Sequence, residues 1–307
     1  MKIVFFGTSN VALPVLEALR REHEITAVVT SPDSKVGRRQ IVTPSAVALL
    51  ADELKLPTLK PETVKNNEDF LAQLRELAAD IFIVVSYGKI LPLSVINLPP
   101  HKTLNLHFSR LPQYRGASPM QFALMNGDRE TAVTVFVLDE ELDHGPIVAQ
   151  QTAAIEDDDT FLTLSLRLAH ESAELLLNVL PDYVSGKTIP QVQDHTQATY
   201  TKIITKQDGR INWNEDAQKI YNRFRALYPW PGIWTTWQGK NLKILDCVPA
   251  GAGNGASEPG TVLEGGLIAC GNNTALQIST LQLEGKNPMP LAGFLNGYRQ
   301  FVGSRLE

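Results

Sequence analysis

An asparagine and a histidine two residues apart, in the stretch Leu104-Asn105-Leu106-His107-Phe108-Ser109-Arg110-Leu111-Pro112-Gln113-Tyr114-Arg115-Gly116, form the most chemically suggestive pair in the chain. Residues two apart on a strand share a face, so carboxamide and imidazole project together, near the carboxyl end where open α/β sheets place ligands. Side by side they suit acyl transfer: the imidazole can move a proton and the amide N–H can donate to an oxyanion. Taken alone, a strand-end Asn and His more often serve as structural hydrogen-bonding groups. A second segment, Leu138-Asp139-Glu140-Glu141-Leu142-Asp143-His144-Gly145-Pro146, gathers four carboxylates and a histidine in a Gly/Pro-bounded loop after a strand. A carboxylate from this loop could orient His107 or raise its basicity. The rival reading is a solvated acidic turn.

Other chemistries are disfavoured. The first βα turn, Phe6-Gly7-Thr8-Ser9-Asn10, has one of the three glycines of G-x-G-x-x-G, and the missing second glycine is what lets a backbone approach a pyrophosphate. No histidine spacing suggests a metal. Cys247 and Cys270 are too few and too isolated for a disulfide framework or a C-x-x-C clamp, and a reduced cytoplasmic setting is expected.

The elements that must carry these residues alternate between strand and helix. Strands are expected at 2–6, 25–29, 80–85, 103–107 and 134–138, with helices from a Ser9 or Asn10 cap, at 43–54 opened by Thr43-Pro44, at 67–78 and at 117–125. Residues 31–41 are expected as a polar loop. This alternation implies a mostly parallel, doubly wound, Rossmann-like sheet. A long helical pattern covers 161–184 after Asp157-Asp158-Asp159, which suits a helix N-terminus. Beyond it all four tryptophans and short strand-like runs such as 242–245 and 276–281 suggest a small β-barrel. The expected division is an α/β domain over 1–189, a linker over 190–206 and a smaller C-terminal β-barrel over 207–307.

With 307 residues, 43% hydrophobic and 20% charged, the chain has an ordinary globular composition and length enough for two domains. The apolar run after Lys2 stops at Gly7, so no signal peptide is expected, and residues 81–100 contain Lys89 and several prolines, so no membrane helix is. The net charge of −5 offers no global basic field for nucleic acid. It divides unevenly, however: residues 206–307 hold 10 basic and 8 acidic side chains, so the acidity belongs to the first part. Lys35, Arg38 and Arg39 make a local basic cluster beside Gly37.

Taken together, Ile3-Val4-Phe5-Phe6-Gly7-Thr8, Ser86-Tyr87-Gly88-Lys89-Ile90-Leu91-Pro92, Asn105-x-His107 with the following S-x-L-P and R-G, and Leu142-Asp143-x-Gly145 resemble the 10-formyltetrahydrofolate-dependent formyltransferases. Tyr200, Lys206, Arg210-Ile211-Asn212-Trp213 and Tyr228-Pro229-Trp230-Pro231 extend the resemblance to the methionyl-tRNA formyltransferases and to nearly the whole chain. The resemblance implies a formyltransferase fold followed by an OB-like barrel that holds tRNA, and formyl transfer to initiator methionyl-tRNA for translation initiation. Catalysis falls to Asn105, His107 and Asp143. Folate contacts fall to Tyr87, Ile90, Ser109, Arg110, Leu111 and Pro112, and tRNA contacts to Lys35, Arg38, Arg39, Lys202 and Lys206. The implied partners are the folate co-substrate and initiator tRNA, with no metal, no membrane and a monomeric chain.

Four positions depart from the family pattern: Phe108 and Glu141 replace glycine, Arg110 replaces leucine and His144 replaces threonine. Arg110 adds charge and bulk beside the pterin pocket, Glu141 removes conformational freedom from the loop carrying Asp143, and His144 could compete with His107 for that carboxylate. A sugar-nucleotide N-formyltransferase, a formyltetrahydrofolate hydrolase and a catalytically silent folate- or RNA-binding relative are the rivals.

Overall fold

The computed structural model describes residues 1–36, 40–252 and 257–307. The chain divides into two compact units, one of Met1–Pro119, Glu130–Ala154 and Ser165–Lys202, the other of Met120–Arg129, Ile155–Leu164 and Ile203–Glu307.

In the first unit the strands are β1 (Lys2–Gly7), β2 (Glu24–Val29), β3 (Ser34–Val36), β4 (Ile41–Thr43), β5 (Thr58–Leu59), β6 (Ile81–Val85), β7 (Thr103–His107), β8 (Arg115–Gly116), β9 (Glu130–Val137), β10 (Ile147–Ala154) and β11 (Tyr200–Thr201). Seven form one sheet in the order β10-β9-β7-β6-β1-β2-β5. The stretch from β5 to β7 is parallel, while β9 and β10 add an antiparallel edge. The mostly parallel Rossmann-like sheet expected from alternation is therefore present. Its edge strand β10 escaped the sequence because Gln150, Gln151 and Thr152, exposed, break any apolar run.

All five side chains of β6 are buried, as suits a strand covered on both faces, and each such burial contributes roughly 1.5–3 kcal/mol. The helix Glu68–Glu76 forms where expected: Asn67 Oδ1 accepts from the Phe70 amide, Glu68 and Asp69 complement the helix dipole, and Phe70, Leu71 and Leu74 pack inward. Two helix starts differ from expectation. Ser45, not Thr43, caps the helix Ala46–Glu53, with its Oγ accepting from Ala48 N at 3.0 Å, because Thr43 is held in β4. Ser9 makes no cap bond; its Oγ donates to Ser86 Oγ at 2.7 Å, and a 3-10 turn, Asn10–Ala12, precedes the helix Leu13–Glu22. Residues 31–41 are not wholly loop, since β3 pairs antiparallel with β4.

The second unit holds β12 (Ile233–Trp237), β13 (Lys240–Ala252), β14 (Leu267–Cys270), β15 (Thr274–Leu283) and β16 (Met289–Pro290). They form one antiparallel sheet in the order β12-β13-β15-β14, with β16 on β15. Register shifts along β13 and β15 bend the ladder, and the sheet curls into a half-open barrel. The helix Ala217–Leu227, capped by Asp216, buries Ile220 and Phe224. Trp237 is enclosed by Phe294, Tyr298 and Phe301 at ring-centroid distances of 5.7, 5.6 and 5.2 Å. Among the described residues no helix is long and apolar enough to cross a membrane.

Candidate active site

β1 lies between β2 and β6, so the chain leaves β1 in one direction and returns on its other side, and the crevice for ligands opens at the carboxyl ends of these strands. Here Thr8 Oγ1 donates to the Tyr87 carbonyl and Ser9 bridges to Ser86. One strand further, β7 delivers Asn105 and His107, in register with Val84 of β6 and Thr134 of β9 respectively. Asn105 is half-buried, and its carboxamide has no hydrogen-bond partner among the described residues.

His107 is buried, and its Nε2 lies 2.9 Å from the Tyr114 carbonyl. A carbonyl only accepts, so Nε2 carries a proton and the neutral ring presents its lone pair at Nδ1. That nitrogen stands 3.6 Å from Asp143 Oδ2, too far for a hydrogen bond and close enough for the carboxylate to stabilise an imidazolium once Nδ1 takes a proton. Asp143 Oδ2 is itself fixed by the Gly116 amide at 2.7 Å. Both supporting backbone positions are left-handed, with φ of 58° at Tyr114 and 50° at Asp143. Non-glycine residues hold such angles only where surrounding contacts over-determine them.

The loop departures resolve in physical terms. Glu141 does not have a positive φ; the left-handed angle falls on Asp143. Gly145 remains obligatory, because a Cβ there would collide with the Val137 carbonyl. His144 Nδ1 lies 2.7 Å from Asp139 Oδ2, and its ring stacks on His195 at 3.9 Å. Phe108 is buried. The Arg110 guanidinium donates to Glu130 and to Thr152 Oγ1, at 2.8 and 3.0 Å, which ties it to the β9–β10 edge.

The residues expected to contact folate are spread between surface and core. Ile90 is 84% exposed and Pro112 half-buried, whereas Leu111 is buried. The Ser109 hydroxyl is spent on the Gln113 carbonyl inside its own turn, at 2.6 Å. Tyr87 is a core residue packed edge-on against Phe6; burial pushes its phenol up to about 12. Lys35 on β3, Lys202 and Lys206 are exposed cations. Arg38 and Arg39 lie outside the described residues.

Sequence reasoning missed the supports of the site. Gln193 and Thr199 lie about eighty residues beyond Arg115, and of this set only the Arg115-Gly116 dipeptide and the neighbouring Tyr200 carry a family motif. β11 pairs in parallel with β8 beside the site. Thr199 Oγ1 accepts from the Tyr114 amide at 2.8 Å, and its carbonyl accepts from the Arg115 amide at 2.9 Å. Gly116 has φ 110° and passes so close to β11 that a Cβ would stand 2.7 Å from the Thr201 carbonyl.

Comparison with known proteins places both units of the chain in one family. Residues 1–180 match the formyl transferase family and residues 203–299 the formyl transferase C-terminal domain. A methionyl-tRNA formyltransferase of Caldanaerobacter subterraneus subsp. tengcongensis is 42% identical, with 100% of both chains covered. One of Staphylococcus aureus strain MW2 is 38% identical over 99% of each. Among solved structures, an N-formyltransferase from Helicobacter canadensis in complex with folinic acid and dTDP-3-aminofucose superposes with a TM-score of 0.65 over 91% of this chain and 98% of its own, at 19% identity, a likeness of fold.

Proposed function

This chain belongs to the formyl transferase family, and from that premise we propose that it transfers the formyl group of 10-formyltetrahydrofolate to the free amino group of initiator methionyl-tRNA, giving N-formylmethionyl-tRNA. The observation that carries the reading is the buried His107–Asp143 pair with an unengaged Asn105 carboxamide two residues from His107 on the same strand. The amine nitrogen attacks the formyl carbon, and the oxygen of the tetrahedral intermediate takes a hydrogen bond from Asn105. His107 Nδ1 accepts the proton released by the amine, with Asp143 stabilising the imidazolium, and returns it to N10 as the carbon–N10 bond breaks. Atoms and charge balance without a metal.

Ile90, Leu111 and Pro112 supply apolar contacts for the folate, while Tyr87, Ser109 and Arg110 contribute through the backbone they shape. The acceptor is tRNA because the resemblance to methionyl-tRNA formyltransferases runs over both units, with the sugar enzymes far more distant in sequence. Lys35, Arg38, Arg39, Lys202 and Lys206 supply phosphate contacts. In this reading residues 1–189 are catalytic, 190–206 connect, and 207–307 hold tRNA, in a cytoplasmic monomer. The test is formyl transfer from 10-formyltetrahydrofolate to charged initiator tRNA, with an amino-sugar nucleotide as parallel acceptor. Transfer to tRNA alone is expected; transfer only to the sugar would overturn the assignment.

A further inference from the structure

We propose that Gln193 is a positioning residue for the reaction centre: one carboxamide, anchored by Arg115, holds Asp143 in the backbone conformation that presents its carboxylate to His107. The proposal rests on the roles given above to Asp143 and His107.

Gln193 is 4% exposed, and its Nε2 donates to the carbonyls of Asp143 and Gly145 at 2.9 and 2.8 Å. Its Oε1 accepts from Arg115 Nη2 at 2.7 Å. The orientation of the amide is fixed by chemistry. A guanidinium can only donate and a carbonyl can only accept, so the oxygen must face Arg115 and the NH2 must face the loop. Both N–H bonds and the oxygen are engaged, and the side chain has no alternative pose that satisfies the same neighbours.

These bonds close a ring. The Asp143 carboxylate takes the Gly116 amide, Gly116 follows Arg115 in sequence, the Arg115 guanidinium grips Gln193, and Gln193 grips the Asp143 carbonyl. Asp143 is thus pinned through its side chain and through its main chain, which is what a non-glycine residue at φ 50° needs. Release of the carbonyl would let the peptide relax toward the right-handed or extended region and turn the carboxylate away from the 3.6 Å approach to Nδ1. A further bond strengthens the Arg115 end: the same Nη2 donates to His195 Nδ1 at 2.9 Å, and since Arg115 must be the donor, that imidazole nitrogen is the acceptor. A structural role limited to packing would need none of this polarity.

Gln193→Glu separates the two functions of the amide. It keeps shape and gives Arg115 a charged partner, yet replaces the donor with an acceptor against two carbonyls. Expected for the full chain is a kcat lowered by about tenfold or more, with KM for the formyl donor and for methionyl-tRNA within about twofold. Gln193→Met, which removes donor and acceptor together, should fall in the same way. Nitrogen-15 NMR of the His107 ring in the substrate-free protein reads the same change without catalysis, as a shifted Nδ1 resonance in both variants. Native thermal stability with unchanged kcat and an unchanged His107 spectrum in Gln193→Glu would overturn the proposal, as would a change confined to KM. If the parent chain formylates no tRNA while the variants still shift the His107 resonance, the acceptor assignment fails and the positioning role stands.

Discussion

His144 Nδ1 lies 2.7 Å from Asp139 Oδ2, which takes the histidine next to Asp143 out of competition for the Asp143 carboxylate. His107 is left as the imidazole that Asp143 faces. His107→Ala should therefore lower turnover by about 10² or more, the usual size of a lost general base, whereas His144→Thr should leave kcat close to that of the parent. Steady-state kinetics of the two variants side by side decides this; a normal rate in His107→Ala would remove the ring from the mechanism.

Arg110 is the departure that adds charge to the segment following His107, yet its guanidinium is occupied by Glu130 and Thr152. The pair is substantially exposed, so it is worth on the order of 0–1 kcal/mol. Arg110→Leu should leave KM for the formyl donor within about twofold and shift the denaturation midpoint only slightly. A large improvement in donor affinity would mean that the arginine does intrude on the pterin.

Exposed cations at Lys202 and Lys206 predict a binding term that salt screens. Replacing both with alanine should weaken tRNA binding uniformly across tRNA sequences and flatten its dependence on salt, while KM for the formyl donor stays the same. Filter binding at several ionic strengths measures the slope; an unchanged slope would exclude these lysines as phosphate contacts.

The Trp237 cluster is the keystone of the second unit. Trp237→Ala removes the ring that Phe294, Tyr298 and Phe301 enclose, and large aromatic-to-alanine truncations in cores cost about 3–5 kcal/mol. Urea unfolding should report a loss of this size, and a loss below about 1 kcal/mol would show that the cluster packs loosely.

Burial pushes the Cys270 thiol from 9.0 up to about 12 and the Tyr87 phenol from 10.0 up to about 12. The folded chain holds these protons more tightly than the unfolded one, so the stability they contribute is fully present below pH 9 and is lost as pH rises from 9 through 12. Equilibrium unfolding across that range should fall steadily, and Cys247 and Cys270, both buried, should resist thiol reagents until the protein unfolds. Rapid labelling of the native protein at neutral pH would contradict this.

The parallel core of the sheet was legible because β6 is an unbroken apolar run, buried throughout, and β7 alternates leucines with Asn105 and His107, so these two could be placed on one face from spacing alone. Asp143 entered through resemblance, since nothing in an acidic loop distinguishes one carboxylate from its neighbours. The supports were not legible for a different reason. Gln193 and Arg115 are 78 positions apart, and their meeting depends on β8 pairing with β11, two strands of two residues each that carry no periodic signal. The edge strand β10 and the cap at Ser45 were lost to local composition: glutamines in one case, a nearer Thr-Pro pair in the other.

The pairing of β8 with β11 also sets a schedule for a chain emerging from the ribosome. Chains are made from the N-terminus at roughly 5–20 residues per second, and a domain folds as its parts become available. Tyr114, Arg115 and Asp143 are made early, but the Thr199, Thr201 and Gln193 contacts that brace them do not exist until the segment through Thr201 has left the exit tunnel. A nascent chain can thus build most of its sheet while its reaction centre is still unbraced, and competence arrives late in synthesis.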